Sequence, residues 1–291
     1  LGVGSPRTDP MRHTATMELE TTRWSVADGV GVLTLSRPHR HNAWTGRMHT
    51  ELRHLLARAD DDPAVRVVVI TGDPDGGAFC PGADIRALEG HVERGGYDSG
   101  TDDRLASPGH GVRPELDADF AWFFGLETVT IAAVNGAAAG VGLVLACWCD
   151  LRLAAAGASL TAAHGRLNLP AEYGLSWLLP RLVGHGRASD LLLSSRVVLA
   201  EEALAMGLVN QVHPAGQVLD EAMAYAGRLV TEVSPDSLRS TKRQLAIDSL
   251  SNDPGASVRD AQRRLEQMTT ETDFREAVTA LTEKRPPTWR G

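Results

Sequence analysis

The sequence predicts an α/β fold with a helical C-terminal part. Over the first 200 residues, short β-branched runs alternate with segments of helical periodicity, a pattern typical of a parallel sheet covered by helices. After residue 200 the pattern is mostly helical. We therefore expect a loose tail over residues 1–22, an α/β core over 23–200 and a helical part over 201–291.

The first predicted elements are a hairpin, a helix and a buried strand. Asp28-Gly29 favours a tight turn between strand-like runs at 24–27 and 30–35. Thr45 is suited to cap a helix whose apolar residues recur at helical spacing. Residues 67–70 form a continuous β-branched run, which indicates a strand buried on both faces.

Two strand–glycine turn–helix units follow. Residues 78–80 precede Pro81-Gly82 and a helix-like segment at 83–88, and residues 129–134 precede a small-residue loop and an apolar helix at 143–148. Residues 89–114 are rich in Gly, Asp and Arg, so we expect a mobile surface loop near the functional site.

The composition limits the classes of partner. The chain of 291 residues has 29 Lys and Arg against 37 Asp and Glu, a formal charge of −8 that repels nucleic acid and anionic lipid over most of the surface. The uncharged stretch 128–149 is interrupted by Asn and Gly, so we interpret it as a buried strand and helix rather than a membrane span. We expect neither nucleic acid nor membrane as a partner.

Cysteine and histidine usage argues against disulfides and metals. Three cysteines and no signal-peptide-like segment suit a reducing compartment, so we expect a cytoplasmic protein. His49 and His54 are five residues apart and do not share a helix face. We therefore expect these histidines, with His39 and His41, to be solvated, and we expect no metal site.

The two glycine turns suggest a site for a developing negative charge. The first N–H groups of a helix lack partners and carry partial positive charge, so two such termini directed at one point can hold an oxyanion. The units at Pro81-Gly82-Ala83 and Gly140-Val141-Gly142 suit this role. The alternative is that both turns serve packing only.

Several motifs in order resemble the enoyl-CoA hydratase/isomerase (crotonase) family. The first motif is GAFCPGADI at 77–85, and the second combines AAVNG at 132–136 with GVG at 140–142 and Cys149-Asp150. Later landmarks are LLPRLVG at 178–184, AMGLV at 205–209 and EKRPP at 283–287. The resemblance extends from about residue 24 to residue 289.

The resemblance implies a crotonase-like spiral of ββα repeats that binds acyl-CoA thioesters. It also implies a homotrimer or a dimer of trimers, with the C-terminal helices in oligomerisation. The family holds the thioester oxygen with two main-chain N–H groups, which match Ala83 and Val141. A glycine is usual at the second position, and we expect the branched side chain of Val141 to crowd the approach.

The acid/base positions depart from the hydratase pattern. The two hydratase glutamates match Val144 and His164, and valine cannot transfer a proton. Isomerases of the family place their carboxylate base at the position of Glu172, where apolar neighbours would raise its pKa. The alternatives are a surface glutamate or an ion pair of Glu172 with Arg166 or Arg181, and a merely packed His164.

The resemblance also implies residues that bind the substrate and its CoA part. Arg37, Arg40 and Lys284 are candidates for the CoA phosphates, with ordinary solvated charges as the alternative, and Lys284 is expected to act across a subunit boundary. Leu281 replaces an aromatic residue that many members place against the adenine. The remaining candidates lie in the two glycine motifs: Ala78, Gly82, Asp84, Ile85 and Gly140.

We predict an enolate-forming isomerase of an enoyl-CoA thioester, with Glu172 and His164 as catalytic candidates. Two alternatives stay open: a hydratase that uses His164 and Glu172 as an unusual pair, and a catalytically silent protein that binds CoA thioesters. No cofactor is expected beyond coenzyme A as part of the substrate. A dinucleotide-binding enzyme is disfavoured because the third glycine is missing, and a serine hydrolase because Gly-x-Ser-x-Gly is absent.

Overall fold

The computed structural model describes residues 17–102 and 105–290, which form two sheets surrounded by helices. The strands are β1 (Thr22–Ala27), β2 (Val30–Leu35), β3 (Val67–Gly72), β4 (Ala78–Cys80), β5 (Val129–Val134), β6 (Ala137–Ala139), β7 (Leu151–Ala155), β8 (Ser159–Thr161), β9 (Val198–Leu199) and β10 (Gln211–His213). The helices are α1 (Gly46–Asp61), α2 (Ile85–Arg94), α3 (Val141–Trp148), α4 (Leu175–Val183), α5 (His185–Ser194), α6 (Ala200–Met206), α7 (Val218–Glu232), α8 (Pro235–Asp248), α9 (Pro254–Met268) and α10 (Thr272–Glu283).

The two sheets are built by a repeating ββα unit. The larger sheet has the order β1-β2-β3-β5-β7-β10 and is parallel apart from the β1–β2 hairpin, and the smaller has the order β4-β6-β8-β9. The segments β3–β4–α2 and β5–β6–α3 each add one strand to each sheet and then a helix. The strands β7 and β8 repeat this step. The predicted α/β spiral is confirmed.

The hairpin, the helix cap and the buried strand are also confirmed. Asp28 and Gly29 both have positive φ, 50° and 78°, as the tight turn between β1 and β2 requires. Thr45 caps α1, with its Oγ1 accepting a hydrogen bond from the Met48 N–H at 3.2 Å. Strand β3 is buried along its whole length between β2 and β5.

The expectation of a surface loop over residues 89–114 is wrong in its first part. Helix α2 continues to Arg94, because Asp84 caps its start and Gly95, at φ 68°, ends it. The segment after α2 is largely exposed, and residues 103–104 lie outside the described residues.

The predicted loose tail is shorter than residues 1–22. The N–H groups of Glu20 and Thr21 and the hydroxyls of Thr21 and Thr22 all donate to the buried carboxylate of Glu51. Residues 20–22 are therefore attached to α1, and residues 1–16 lie outside the described residues.

Two of the histidines expected in solvent are buried. His49 and His54 both lie inside the fold, and the His49 ring stacks on Phe120 of the aromatic segment at 120–123, with ring centroids 5.6 Å apart. Across the described ranges, no three His, Cys, Asp or Glu side chains come together as a metal would need. None of the helices in those ranges combines the length and the apolar character needed to cross a bilayer.

Candidate active site

The two strand–turn–helix units lie side by side. Strands β4 and β6 pair in parallel, with Ala78 opposite Ala137, so both strands end at the same edge of the smaller sheet. The turns that follow touch each other: a Cβ on Gly140 would lie 3.9 Å from the Gly82 Cα, and a Cβ on Gly82 would lie 3.4 Å from the Ala139 carbonyl oxygen. The two helices α2 and α3 therefore begin next to each other.

The Ala83 N–H is directed away from its only bridging neighbour in the described chain. Trp44 donates its N–H to the Gly82 carbonyl at 2.8 Å and accepts from the Asp84 N–H at 2.9 Å. In such a parallel bridge, the N–H of the residue between the two bonded positions points to the other side. Within the described residues the Ala83 N–H makes no main-chain hydrogen bond, so it is available as a donor.

The Val141 N–H is a second available donor. Gly140, with φ 51°, donates its own N–H to the Thr161 carbonyl and accepts from the Val144 N–H, which starts α3. Val141 is the first residue of α3, and its N–H finds no main-chain acceptor in the described ranges. Its side chain is buried and packs with the hydrophobic core.

The position of the first hydratase glutamate is filled by a core residue. Val144 is 1% exposed, and every residue of α3 is buried. Its neighbours in the core are apolar, so this part of α3 offers no group that can accept or donate a proton.

Glu172 lies half-buried in the segment before α4. Burial raises the pKa of its carboxyl, and the nearby charge of His164 partly offsets that rise. Neither Arg166 nor Arg181 forms an ion pair with Glu172 in the described structure, and Arg181 instead lies over the Trp177 ring at 3.8 Å. A carboxylate with a raised pKa is the form of glutamate that suits a general base.

His164 occupies a buried position near the second glycine turn. It is 7% exposed and begins the 3-10 turn His164–Leu167, three residues after Thr161, whose carbonyl holds the Gly140 N–H. Its Nδ1 has no hydrogen-bond partner within the described residues. The structure therefore brings His164 close to both the Gly140 turn and Glu172.

Three aromatic rings connect Glu172 with the Ala83 turn. The ring of Tyr173 lies 4.9 Å from that of Phe120, and Phe120 lies 5.9 Å from Trp44, whose main chain brackets Ala83. The sequence analysis did not identify these residues as part of the site. The only signal was the dense aromatic segment that begins at Phe120.

The two candidate arginines for the CoA phosphates differ in whether they form an ion pair within the described chain. The Arg37 guanidinium contacts the Asp84 carboxylate at 2.8 Å and donates to the Ala43 carbonyl at 2.7 Å. Asp84 also caps α2, and although burial raises the pKa of its carboxyl, the hydrogen bonds from the Arg86 N–H and Arg37 lower it overall. Both side chains thus take part in holding the start of α2. Arg40 is near enough to Asp84 to act on it but forms no ion pair within the described chain.

The other candidates differ in exposure. Ala78 is buried, and Ile85 is exposed at the first turn of α2. Lys284 is exposed at the end of α10 and makes no ion pair in the described ranges.

Within the described residues, two glycine turns with available main-chain donors lie side by side, an arrangement that suits stabilisation of an oxyanion made from a carbonyl group. Comparison with known proteins agrees: residues 25–291 match the family model described as enoyl-CoA hydratase/isomerase. The chain belongs to the enoyl-CoA hydratase/isomerase family, whose members process acyl-CoA thioesters.

Similar proteins cover nearly the whole chain. A probable enoyl-CoA hydratase of Mycobacterium tuberculosis is 36% identical over 265 residues, which are 89% of this chain and 88% of that protein. The 1,2-epoxyphenylacetyl-CoA isomerase of Escherichia coli is 32% identical over 91% of this chain and 97% of its own length. The crystal structure of a probable enoyl-CoA hydratase/isomerase from Mycobacterium abscessus has a TM-score of 0.79 and 34% identity, covering 95% of this chain and all of that one.

Proposed function

We propose that the protein moves a double bond within an enoyl-CoA thioester through an enolate, with Glu172 as the base. The observation that supports this function most directly is the contrast between two positions. Val144 removes the carboxylate on α3 that water addition would use, whereas Glu172 supplies a half-buried carboxylate whose pKa burial raises.

The reaction uses both halves of the site. The N–H groups of Ala83 and Val141 bind the thioester oxygen, and each such donor contributes about 3–4 kcal/mol to stabilising an enolate. Glu172 removes a proton from a carbon acidified by the carbonyl, the electron pair moves onto the bound oxygen, and the same proton returns to a different carbon. Acid–base catalysis of this kind contributes about 10²- to 10⁴-fold.

A hydratase that pairs His164 with Glu172 is the second candidate. It is favoured by the buried Nδ1 of His164, which has no hydrogen-bond partner among the described residues, by the nearby Glu172, and by relatives named as probable hydratases. In that reaction one group takes a proton from water and the other delivers a proton to the substrate carbon.

A pair of substrates separates these functions. An isomerase shifts the double bond of a 3-enoyl-CoA into conjugation, which raises absorbance, whereas a hydratase removes the conjugated absorbance of a 2-enoyl-CoA. We expect the first activity in the wild type, its loss in Glu172→Gln, and its retention in Glu232→Gln, which changes an exposed glutamate on α7. Full turnover by Glu172→Gln would contradict the assignment, as would hydration without isomerisation. Thioester binding without solvent deuterium exchange would identify a silent binding protein.

We also propose an oligomeric state, a cofactor requirement and a cellular location for the protein. The chain forms a trimer or a dimer of trimers through its C-terminal helices, and Lys284 binds CoA across the subunit boundary. Helix α9 supports this assembly because it is amphipathic yet has no fully buried residue of its own.

Coenzyme A enters only as part of the substrate, and the reaction uses no metal. Cytoplasmic location is supported by three free, buried thiols.

A further inference from the structure

The residue after Glu172 is held by three contacts. Tyr173 has φ 47°, a left-handed conformation that an ordinary side chain adopts only when its surroundings impose it. Its carbonyl accepts from Trp148 Nε1 at 3.0 Å, its ring lies against Phe120, and its hydroxyl lies 2.7 Å from the Tyr97 hydroxyl. These contacts determine where the main chain places Glu172.

The contact of Tyr173 with Tyr97 differs from the other two because it comes from an exposed segment and not from the core. Trp148 and Phe120 belong to the buried core, whereas Tyr97 is 70% exposed in the segment after α2. Helix α2 begins directly after Asp84, next to the Ala83 turn, and the segment beyond Gly95 turns back so that Tyr97 meets Tyr173. A single stretch of chain therefore contacts both the oxyanion turn and the segment of the base.

The hydrogen bond between the Tyr97 and Tyr173 hydroxyls is suited to hold Tyr173 in place over the working pH range. Burial raises the pKa of Tyr173 well above its usual range, and the Tyr97 hydroxyl, Glu172 and Asp119 add to the rise. Tyr173 thus stays neutral, and either hydroxyl can donate in the bond. The Tyr97 ring also packs beside His91 of α2 at 5.1 Å, which limits its motion.

We propose that Tyr97 is a positioning residue that holds the Glu172 segment in place through the hydroxyl of Tyr173. This inference rests on the proposed function, because it concerns the base of that reaction. Tyr97 acts through another residue: its hydroxyl fixes Tyr173, and Tyr173 fixes the main chain next to Glu172.

The test is the activity of Tyr97→Phe, which removes one hydroxyl from an exposed ring and leaves the core intact. We expect kcat to fall about three- to tenfold, the effect of losing one ordinary hydrogen bond, with KM unchanged. Tyr225→Phe is the matched control, since Tyr225 lies on α7 near Arg228, and it should keep the wild-type kcat. An unchanged kcat, or a raised KM alone, in Tyr97→Phe would overturn the proposal.

A double mutant tests whether the two hydroxyls act through the same bond. Tyr173→Phe should lower kcat as Tyr97→Phe does, and the double variant should be no slower than either single variant. Independent, multiplying effects would show that Tyr97 acts by another route.

The pH profile distinguishes positioning from a general loss of stability. A loosened segment admits water to Glu172, which lessens the effect of burial, so the acid limb of kcat should move to lower pH in Tyr97→Phe. The groups that face this carboxyl and its neighbour are His164, Tyr97 and Asp119, and their charges are otherwise unchanged. A limb at the wild-type pH would contradict the proposal.

Hydrogen exchange separates failure of this inference from failure of the proposed function. Backbone amides of residues 171–175 should exchange faster in Tyr97→Phe than in the wild type, whether or not Glu172 is the base. Faster exchange together with a fully active Glu172→Gln would overturn the proposed function alone. Equal exchange rates would overturn the role of Tyr97.

Discussion

The Cα of Gly82 lies 3.9 Å from the place where a Cβ on Gly140 would stand. Gly82 has φ 113° and Gly140 has φ 51°, and both values disfavour an ordinary side chain. The close approach of these glycines brings the turns of two separate ββα units together. Ala83 and Val141 follow directly after them: Ala83 lies two residues before α2, and Val141 is the first residue of α3.

Gly140→Ala tests this arrangement. The Cβ itself meets only ordinary contact, but φ 51° with ψ −122° is strained for alanine, so the turn must shift and move the Val141 N–H. We expect kcat to fall about 10²- to 10³-fold, as when an oxyanion donor is lost. Steady-state kinetics on the accepted acyl-CoA measures this.

The control for Gly140→Ala is the same change in a distant turn. Gly216 also has a positive φ, 84°, with open space around its Cβ position, and lies before α7. Gly216→Ala should lower Tm without lowering kcat. Equal kcat in the two variants would show that the turn at Gly140 does not position a donor.

The first strands of the larger sheet and helix α1 were predictable because their signals are local. The Asp28-Gly29 turn, the Thr45 cap and the β-branched run of β3 each depend on a few adjacent residues. The smaller sheet was not predictable as a sheet, since its strands have only two or three residues. So short a run shows no periodicity, and its pairing partners lie far away in the sequence.

The site was predictable only where its residues lie in motifs. Ala83, Val141 and Glu172 came from two glycine motifs and a family resemblance, which are linear features. The contact of Phe120 with Tyr173 joins segments more than 50 residues apart, and both residues have positive φ. Neither the contact nor the strained main chain has a pattern in the sequence, so the aromatic connection to Glu172 was missed.

Arg37 and Arg40 should respond differently to replacement by alanine. Arg37 holds the cap of α2 by its ion pair with Asp84. We expect Arg37→Ala to lower the free energy of unfolding by about 1.5–3 kcal/mol, the contribution of a charged hydrogen bond. Arg40→Ala should keep the wild-type Tm and raise KM for the thioester about 10- to 100-fold, because a CoA phosphate held by a charged hydrogen bond would lose a similar free energy.

Thermal unfolding and the KM for a CoA thioester, measured on both variants, check this prediction. A matched Arg86→Ala variant removes an exposed arginine from the first turn of α2 and should change neither quantity. A wild-type Tm in Arg37→Ala, or a wild-type KM in Arg40→Ala, would contradict the respective assignment.

Glu172→Gln should be more stable than the wild type at neutral and alkaline pH. Burial raises the pKa of Glu172 in the folded state, so the folded protein binds this proton more tightly than the unfolded chain. Stability therefore falls as pH rises through the window from the ordinary to the raised pKa. Glutamine removes that cost, so the Tm difference should be largest above the window and vanish below it. A Tm difference independent of pH would refute this origin.

The C-terminal helices should hold subunits together. Leu265 on α9 and Leu281 on α10 are 63% and 80% exposed in the single chain, as apolar residues are when a partner is missing. Light scattering should give three or six times the chain mass of 31.1 kDa. Leu265→Asp and Leu281→Asp should each reduce that mass towards the monomer, because a charge in an apolar contact costs more than about 2 kcal/mol. Leu193→Asp, at an equally exposed position on α5, should leave the trimer intact. A wild-type chain that stays monomeric at micromolar concentration would refute the assembly.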